Sequence, residues 1–145
     1  MAWNRCRTVC SLRQANHPSR DQTETQQAIV DLRRVRQQYP DSPYAVAAED
    51  RIAQAESTLA EHEFVVGRFY LKRGAYPAAI SRFERILERF PSYPNRDRLL
   101  YHLGKALIMG EKPDEARIHL ERLQREFPAG DWAKEADVLI ARLAP

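Results

Sequence analysis

Residues 62–91 read HEFVVGRFYLKRGAYPAAISRFERILERFP, and this stretch decides the fold. Its second half places Ala79, Phe83 and Ile86 at helical spacing, so one stripe carries a small residue followed by two large apolar ones. Alanine lets a partner helix approach closely, and the large side chains fill the groove beside it. Phe90-Pro91 then ends the helix, because proline has no N–H for the ladder and pushes the residue before it out of the α region. Counting back from Ala79, Gly67 and Tyr70 stand where a preceding antiparallel helix needs a small residue and an aromatic. Gly74 supplies the left-handed residue of the turn between the two helices.

The same second-helix pattern occurs twice more without gaps. Ala28, Leu32 and Val35 precede Tyr39-Pro40, and Ala116, Leu120 and Leu123 precede Phe127-Pro128. Gly104 stands ahead of Ala116 as Gly67 stands ahead of Ala79, Gly110 closes that turn, and Pro113-Asp114 opens the next helix. Internal repetition of this kind marks a tetratricopeptide-type array of helical hairpins. The expected fold is therefore all-α, with a half repeat at 21–40, repeats at 60–91 and 97–128, and a capping helix at 131–143. Asp21 or Thr23 is expected to cap a helix beginning near Thr25. Tyr44, Ala48, Ile52, Ala55, Leu59, Val66 and Tyr70 form one stripe, predicting an unbroken bridging helix over about 43–73. Residues 1–20 read as a tail without regular structure, and 21–145 as the repeat domain.

Composition narrows the function. The 145 residues carry 23 basic and 20 acidic side chains, mixed along the helices to a net +3. That describes a solvated helical surface without the basic face and aromatic readers of a nucleic-acid binder. No stretch has the roughly 18 apolar residues of a spanning helix. Cys6 and Cys10 share one helical face, but a metal site needs two more ligands and His17 is the one nearby candidate, so ordinary thiols are the reading. His62 lies between Glu61 and Glu63, yet adjacent helical residues diverge and cannot converge on one substrate. His102 and His119 have no partner at a ligand spacing, and no nucleophile elbow or phosphate loop is present. Neither catalysis nor a cofactor is expected.

Arg20-Asp21, Tyr39-Pro40-Asp41-Ser42-x-Tyr44, His62-Glu63-x3-Gly67-x2-Tyr70-x2-Arg73-Gly74-Ala75-Tyr76 and the helix from Ala79 to Pro91 together resemble the BamD family of outer-membrane assembly lipoproteins. The likeness runs over roughly 20–128, whereas residues 1–19 resemble nothing in that family. The stretch Arg7-Thr8-Val9 before Cys10 has neither the apolar run nor the small residue of a lipoprotein signal. The reading of the chain is thus a fragment, or a product of an internal start, lacking two upstream repeats.

The resemblance implies a scaffold at the periplasmic face of the outer membrane, holding the periplasmic part of a BamA-like barrel protein and other assembly subunits. Arg82 matches the position implied for a charged contact, and Arg85 and Arg89 extend the row at helical spacing. These arginines either meet an acidic partner or pair with Glu84 and Glu88 on their own helix. A second candidate surface is the groove lined by first helices, with Glu61, Phe64, Arg68 and Lys72 from one repeat and Tyr101, Lys105 and Ile108 from the next. Phe64 and Tyr101 there are either partner anchors or packing between repeats. Two other readings compete. One is a periplasmic adaptor of cell-division type, which would show a coiled coil ahead of its repeats. The other is a bare repeat fragment that exposes Ile29, Leu32 and Val35 and self-associates.

Overall fold

The structure is a computed structural model, and it describes residues 22–143. The described residues are all-α and contain no strand. Six helices follow one another: α1 Thr23–Gln38, α2 Pro43–Lys72, α3 Tyr76–Arg89, α4 Arg96–Met109, α5 Pro113–Glu126 and α6 Asp131–Leu143. No helix among these residues is long and apolar enough to cross a membrane. The sequence readings of Asp21, the cysteines and the N-terminal tail lie outside the described residues.

The chain divides within α2 into two compact units, one up to Glu63 and one from Phe64 onward. The first unit contains α1 and most of α2. Its buried side chains are mainly small: Ala28, Ala45, Ala48, Ala55 and Ala60, with Ile29, Ile52 and Leu59 as the larger members. Two ion pairs join its helices, Arg33 to Glu56 at 2.8 Å and Arg36 to Glu49 at 3.5 Å. Both are solvent-exposed, so each contributes at most about 1 kcal/mol.

Two positions in this unit depart from the expected stripes, and one helix start departs from the expected cap. Val35 is 36% exposed, although Ala28 and Ile29 on the same helix are buried and Leu32 is half-buried. The stripe drifts off the packed face as α1 proceeds. Tyr44 is 61% exposed and Ala45 takes the buried place beside it, because an alanine there lets the helices approach more closely than a tyrosine. At the start of α1 the cap position is Gln22 without a side-chain cap bond, so the helix begins at Thr23 without the cap expected of that residue.

The second unit is built from the end of α2 and helices α3 to α6, with α3 on α4, α4 on α5, and α6 on both α4 and α5. Its core is larger and fully buried: Phe64, Phe83, Ile86, Leu99, Leu100, Leu103, Leu107, Leu120 and Leu123. Each such side chain stabilises the fold by roughly 1.5–3 kcal/mol. Helix α4 buries Leu99, Leu100, Leu103, Gly104, Ala106 and Leu107, and only a narrow strip of it meets solvent.

Helix ends follow the local sequence. Tyr39, Phe90 and Phe127, each before a proline, take nearly the same cap conformation, with φ of −135°, −127° and −135°. Their N–H groups donate to Val35, Ile86 and Leu123 carbonyls, and the proline then stops the ladder. Helix α2 ends differently, at Gly74 with φ +76°. There Ala75 N–H donates to the Tyr70 carbonyl and Gly74 N–H to that of Leu71, the paired bonds of a Schellman cap. Helix α4 ends in the same motif, but one residue later than the glycine suggests. Lys112 and Glu111 donate to Leu107 and Ile108, and the left-handed residue is Glu111 at φ +61°, while Gly110 sits at −87°. Gly110 serves close approach instead. A Cβ there would lie 3.2 Å from the Ala106 carbonyl oxygen and 3.4 Å from Ile80 Cδ1.

Candidate interaction surfaces

Close packing inside the second unit explains several residues picked out from the repeat pattern. A Cβ added to Gly67 would lie 2.6 Å from Phe83 Cε1, and one added to Gly104 would lie 2.6 Å from Leu120 Cδ2. In both hairpins a large side chain of the second helix therefore rests on the bare backbone of the first. Ala79, Phe83 and Ile86 of α3 are fully buried, as are Ala116, Leu120 and Leu123 of α5. Tyr70 is half-buried, with its ring edge-on to Phe69 at 5.8 Å.

On α3, the arginine row is not uniformly solvated. Arg89 is exposed, with its guanidinium 6.0 Å from the Phe90 ring centre. Arg82 and Arg85 are half-buried, and each already interacts within the chain. Arg89 is thus the exposed member of the row, and Arg82 and Arg85 are already engaged within the chain. Neither Glu84 nor Glu88 is paired with the row among the described residues.

The first-helix surface also rearranges. Phe64 is 0% exposed and cannot anchor a partner. Its ring meets Phe83 at 5.6 Å and His102 at 5.2 Å, and the Arg98 guanidinium stacks over its face at 4.2 Å. Arg98 also donates to the Tyr93 hydroxyl at 2.9 Å. Tyr101 is half-buried, with its ring 4.9 Å from Trp132 of α6. Arg68, by contrast, is exposed.

At the centre of this cluster lies His102, which sequence reading set aside. Its ring stands edge-on to Phe64, Phe83, Tyr101 and Trp132, with centroids 5.2 to 6.3 Å apart. Nδ1–H donates to the Arg98 carbonyl at 2.9 Å, which assigns the acceptor role to Nε2 in the neutral ring. Burial pushes the His102 pKa below the ordinary histidine value, and the charges of Arg68, Arg98 and Lys105 add to that effect. The Tyr101 phenol moves upward, chiefly through burial and then through Glu135 of α6. What signalled this cluster in the sequence was Arg98, Tyr101-His102 and Lys105 one helical turn apart, with Trp132 opening the last helix. Among the described residues no group of three or more His, Cys, Asp or Glu side chains is placed to hold a metal ion.

Comparison with known proteins places the chain in a family. The family model YfiO, described as outer membrane lipoprotein, matches residues 5–114. The chain belongs to the YfiO family. YfiO likeness thus reaches upstream of residue 20, where the sequence reading found none, and stops short of Pro128. Relatives include proteins named outer membrane protein assembly factor BamD from three bacteria. The Caulobacter vibrioides protein is 34% identical over 90% of this chain, the Rickettsia prowazekii protein 30% over 70%, and a Xylella fastidiosa protein 34% over 79%. The chain spans about two-fifths of their length, 43%, 41% and 39% respectively.

Proposed function

We propose that this YfiO-family chain is a non-catalytic scaffold in the machinery that assembles outer membrane proteins. In this reading it works at the periplasmic face of the outer membrane and holds the periplasmic domain of a BamA-like barrel protein. The relatives' names supply the process, and the arginine face of α3 supplies the contact. Arg82, Arg85 and Arg89 recur at helical spacing on a helix whose other face is locked by Ala79, Phe83 and Ile86. Arg82 and Arg85 already interact within the chain, and Arg89 is the exposed member of the row. Such a row complements an acidic surface, and guanidinium groups bind carboxylates in bidentate fashion. Half-buried Arg82 and Arg85 are held in place, so docking costs them less rotamer entropy than it costs a free side chain.

The test is calorimetric titration of the chain into the periplasmic domain of a BamA protein, alongside Arg82→Glu and Arg89→Glu. Binding weakened about tenfold by either reversal, or about 1.4 kcal/mol, supports the scaffold reading. Arg89→Glu is the cleaner variant, since it is exposed. Binding that ignores both reversals, in variants with the native circular dichroism and melting temperature, removes α3 as the contact. No heat from the folded parent chain overturns the reading itself.

A further inference from the structure

Charge is unevenly spread along the chain. Between Phe64 and Phe83 stand four of its 23 basic residues and none of its 20 acidic ones. Three of the four, Arg68, Lys72 and Arg73, crowd the end of α2 and are exposed. Val65, Phe69 and Arg73 follow one another at four-residue spacing, with Arg68 and Lys72 alongside, so the five share one side of the helix and neighbours stand about 5–6 Å apart. Arg73 N–H donates to the Phe69 carbonyl at 3.2 Å, which carries the helical register past Lys72. Its guanidinium lies 4.9 Å over the Phe69 ring. The two apolar members of this stripe face water, Val65 being 41% exposed and Phe69 53%. On the opposite side the helix is fixed by fully buried Phe64 and by Gly67 against the Phe83 ring.

The hairpin then turns at Gly74, and α3 opens with half-buried Tyr76 and exposed Pro77, again without a carboxylate. Tyr76 Cβ lies 3.5 Å from where a Cβ on Gly110 would stand, so the next turn is close by. There Glu111 and Lys112 offset each other and leave the positive balance as it is. An occupant of this patch must offer hydrocarbon to Val65 and Phe69 and anions to the cations among them, all within two helical turns. An acidic protein surface answers the charges and leaves the Phe69 ring unmatched. An anionic bilayer does both at every point, since apolar side chains enter the boundary between headgroups and acyl chains while arginine and lysine stems reach back to the phosphates. We propose that the end of the α2–α3 hairpin rests on an anionic phospholipid surface, with Phe69 inserted and Arg68, Lys72 and Arg73 among the phosphates. The patch shares no residue with the arginine row of α3 and goes beyond the scaffold contact, so either can fail alone.

The experiment is sedimentation of the full chain with vesicles of phosphatidylglycerol and phosphatidylcholine in equal parts, beside vesicles of phosphatidylcholine alone. Binding to the anionic vesicles is expected, about tenfold or more tighter than to the neutral ones and weakened by added salt. Combined Arg68→Glu and Lys72→Glu should weaken it about tenfold or more. Arg51→Glu with Arg125→Glu makes the same change in net charge at exposed positions elsewhere and should not. In a Phe69→Trp variant, the emission added over that of the parent should be quenched by vesicles with brominated acyl chains, because the new indole sits below the headgroups. The proposal is overturned if the parent chain binds neither vesicle or both equally, a comparison that no variant's folding affects. Equal effects of the two double reversals, or an added indole that brominated chains leave unquenched, overturn it as well. Release of the chain from anionic vesicles by polyglutamate at the same charge concentration would assign the patch to an acidic protein instead.

Discussion

Gly104→Ala isolates the contact on which the second hairpin is built. The new methyl carbon would lie 2.6 Å from Leu120 Cδ2 and 2.7 Å from Cγ, inside van der Waals contact. Leu120 is fully buried, so it has no free space to retreat into. Overpacking of this kind costs about 1–3 kcal/mol, while replacing a mid-helix glycine by alanine returns about 1 kcal/mol. The net expectation is a loss of about 1 kcal/mol or somewhat more. Leu120→Ala alone should cost about 2–5 kcal/mol through burial lost and cavity formed. In the double variant the alanine methyl no longer meets the leucine, so the overpacking vanishes and the propensity gain remains. The pair should therefore be more stable than the sum of the singles by about 1–3 kcal/mol. Urea unfolding of the four proteins, followed by circular dichroism, measures this. Additivity within about 0.5 kcal/mol, or a Gly104→Ala variant more stable than the parent, would refute the close-contact argument. At Gly67 the obstacle is the Phe83 ring, with three atoms within 3.1 Å. Phe64 and His102 flank that ring, so Gly67→Ala should cost more than Gly104→Ala.

The two Schellman caps should respond oppositely to substitution. Glu111→Gly removes the steric cost of a left-handed glutamate and should stabilise by about 0.5–1 kcal/mol after the entropy of the extra glycine. Gly74→Ala introduces that cost and should destabilise by about 1–2 kcal/mol; a Cβ there meets only the Tyr76 hydroxyl at 3.9 Å, so the loss is conformational. Thermal melts of both variants provide the check. Acid should weaken the fold through His102 and His119. Both pKa values are lowered, each mainly by burial, with Arg68, Arg98 and Lys105 adding to it at His102 and Arg122 at His119. The unfolded chain therefore takes up protons first as pH falls past about 6.5. The melting temperature should hold above that pH, decline from there to the lowered folded-state values, and level off below them. His102→Gln combined with His119→Gln should flatten this part of the profile; an unchanged slope would exclude the two rings as its source.

The helical fold was legible because one-dimensional pattern and packing coincide in the second helices. Ala79, Phe83 and Ile86 form a single stripe, and a stripe has only one way to be buried. The aromatic–proline ends were equally readable, since proline acts on its immediate neighbour. The reading stayed open where a side chain's fate depends on which helix lies across from it. Phe64 stood between partner anchor and packing between repeats, and Phe83 and the Arg98 guanidinium close over it. The end of α4 was misplaced by one residue because glycine has two uses. At Gly110 it gives room to Ile80, and the left-handed turn falls on Glu111.

The interior of each unit bears on which can present a binding surface. Buried alanines dominate the first unit, and a small side chain removes little apolar area from water, so each adds little stability. The second unit buries phenylalanine, isoleucine and leucine, and the proposed contact on α3 stands on a helix clamped by them. The helix that carries the arginine row buries Ala79, Ile80, Phe83 and Ile86. A helix fixed on its buried side holds its exposed side chains at set spacings, whether or not a partner is present. Binding then orders few groups, and the enthalpy of a handful of charge-assisted contacts is not lost to conformational entropy. The same clamping makes the exposed arginines and lysines informative targets. Reversing Arg89 changes charge at the surface without opening a cavity beneath it, so lost binding reports on the contact and not on the fold.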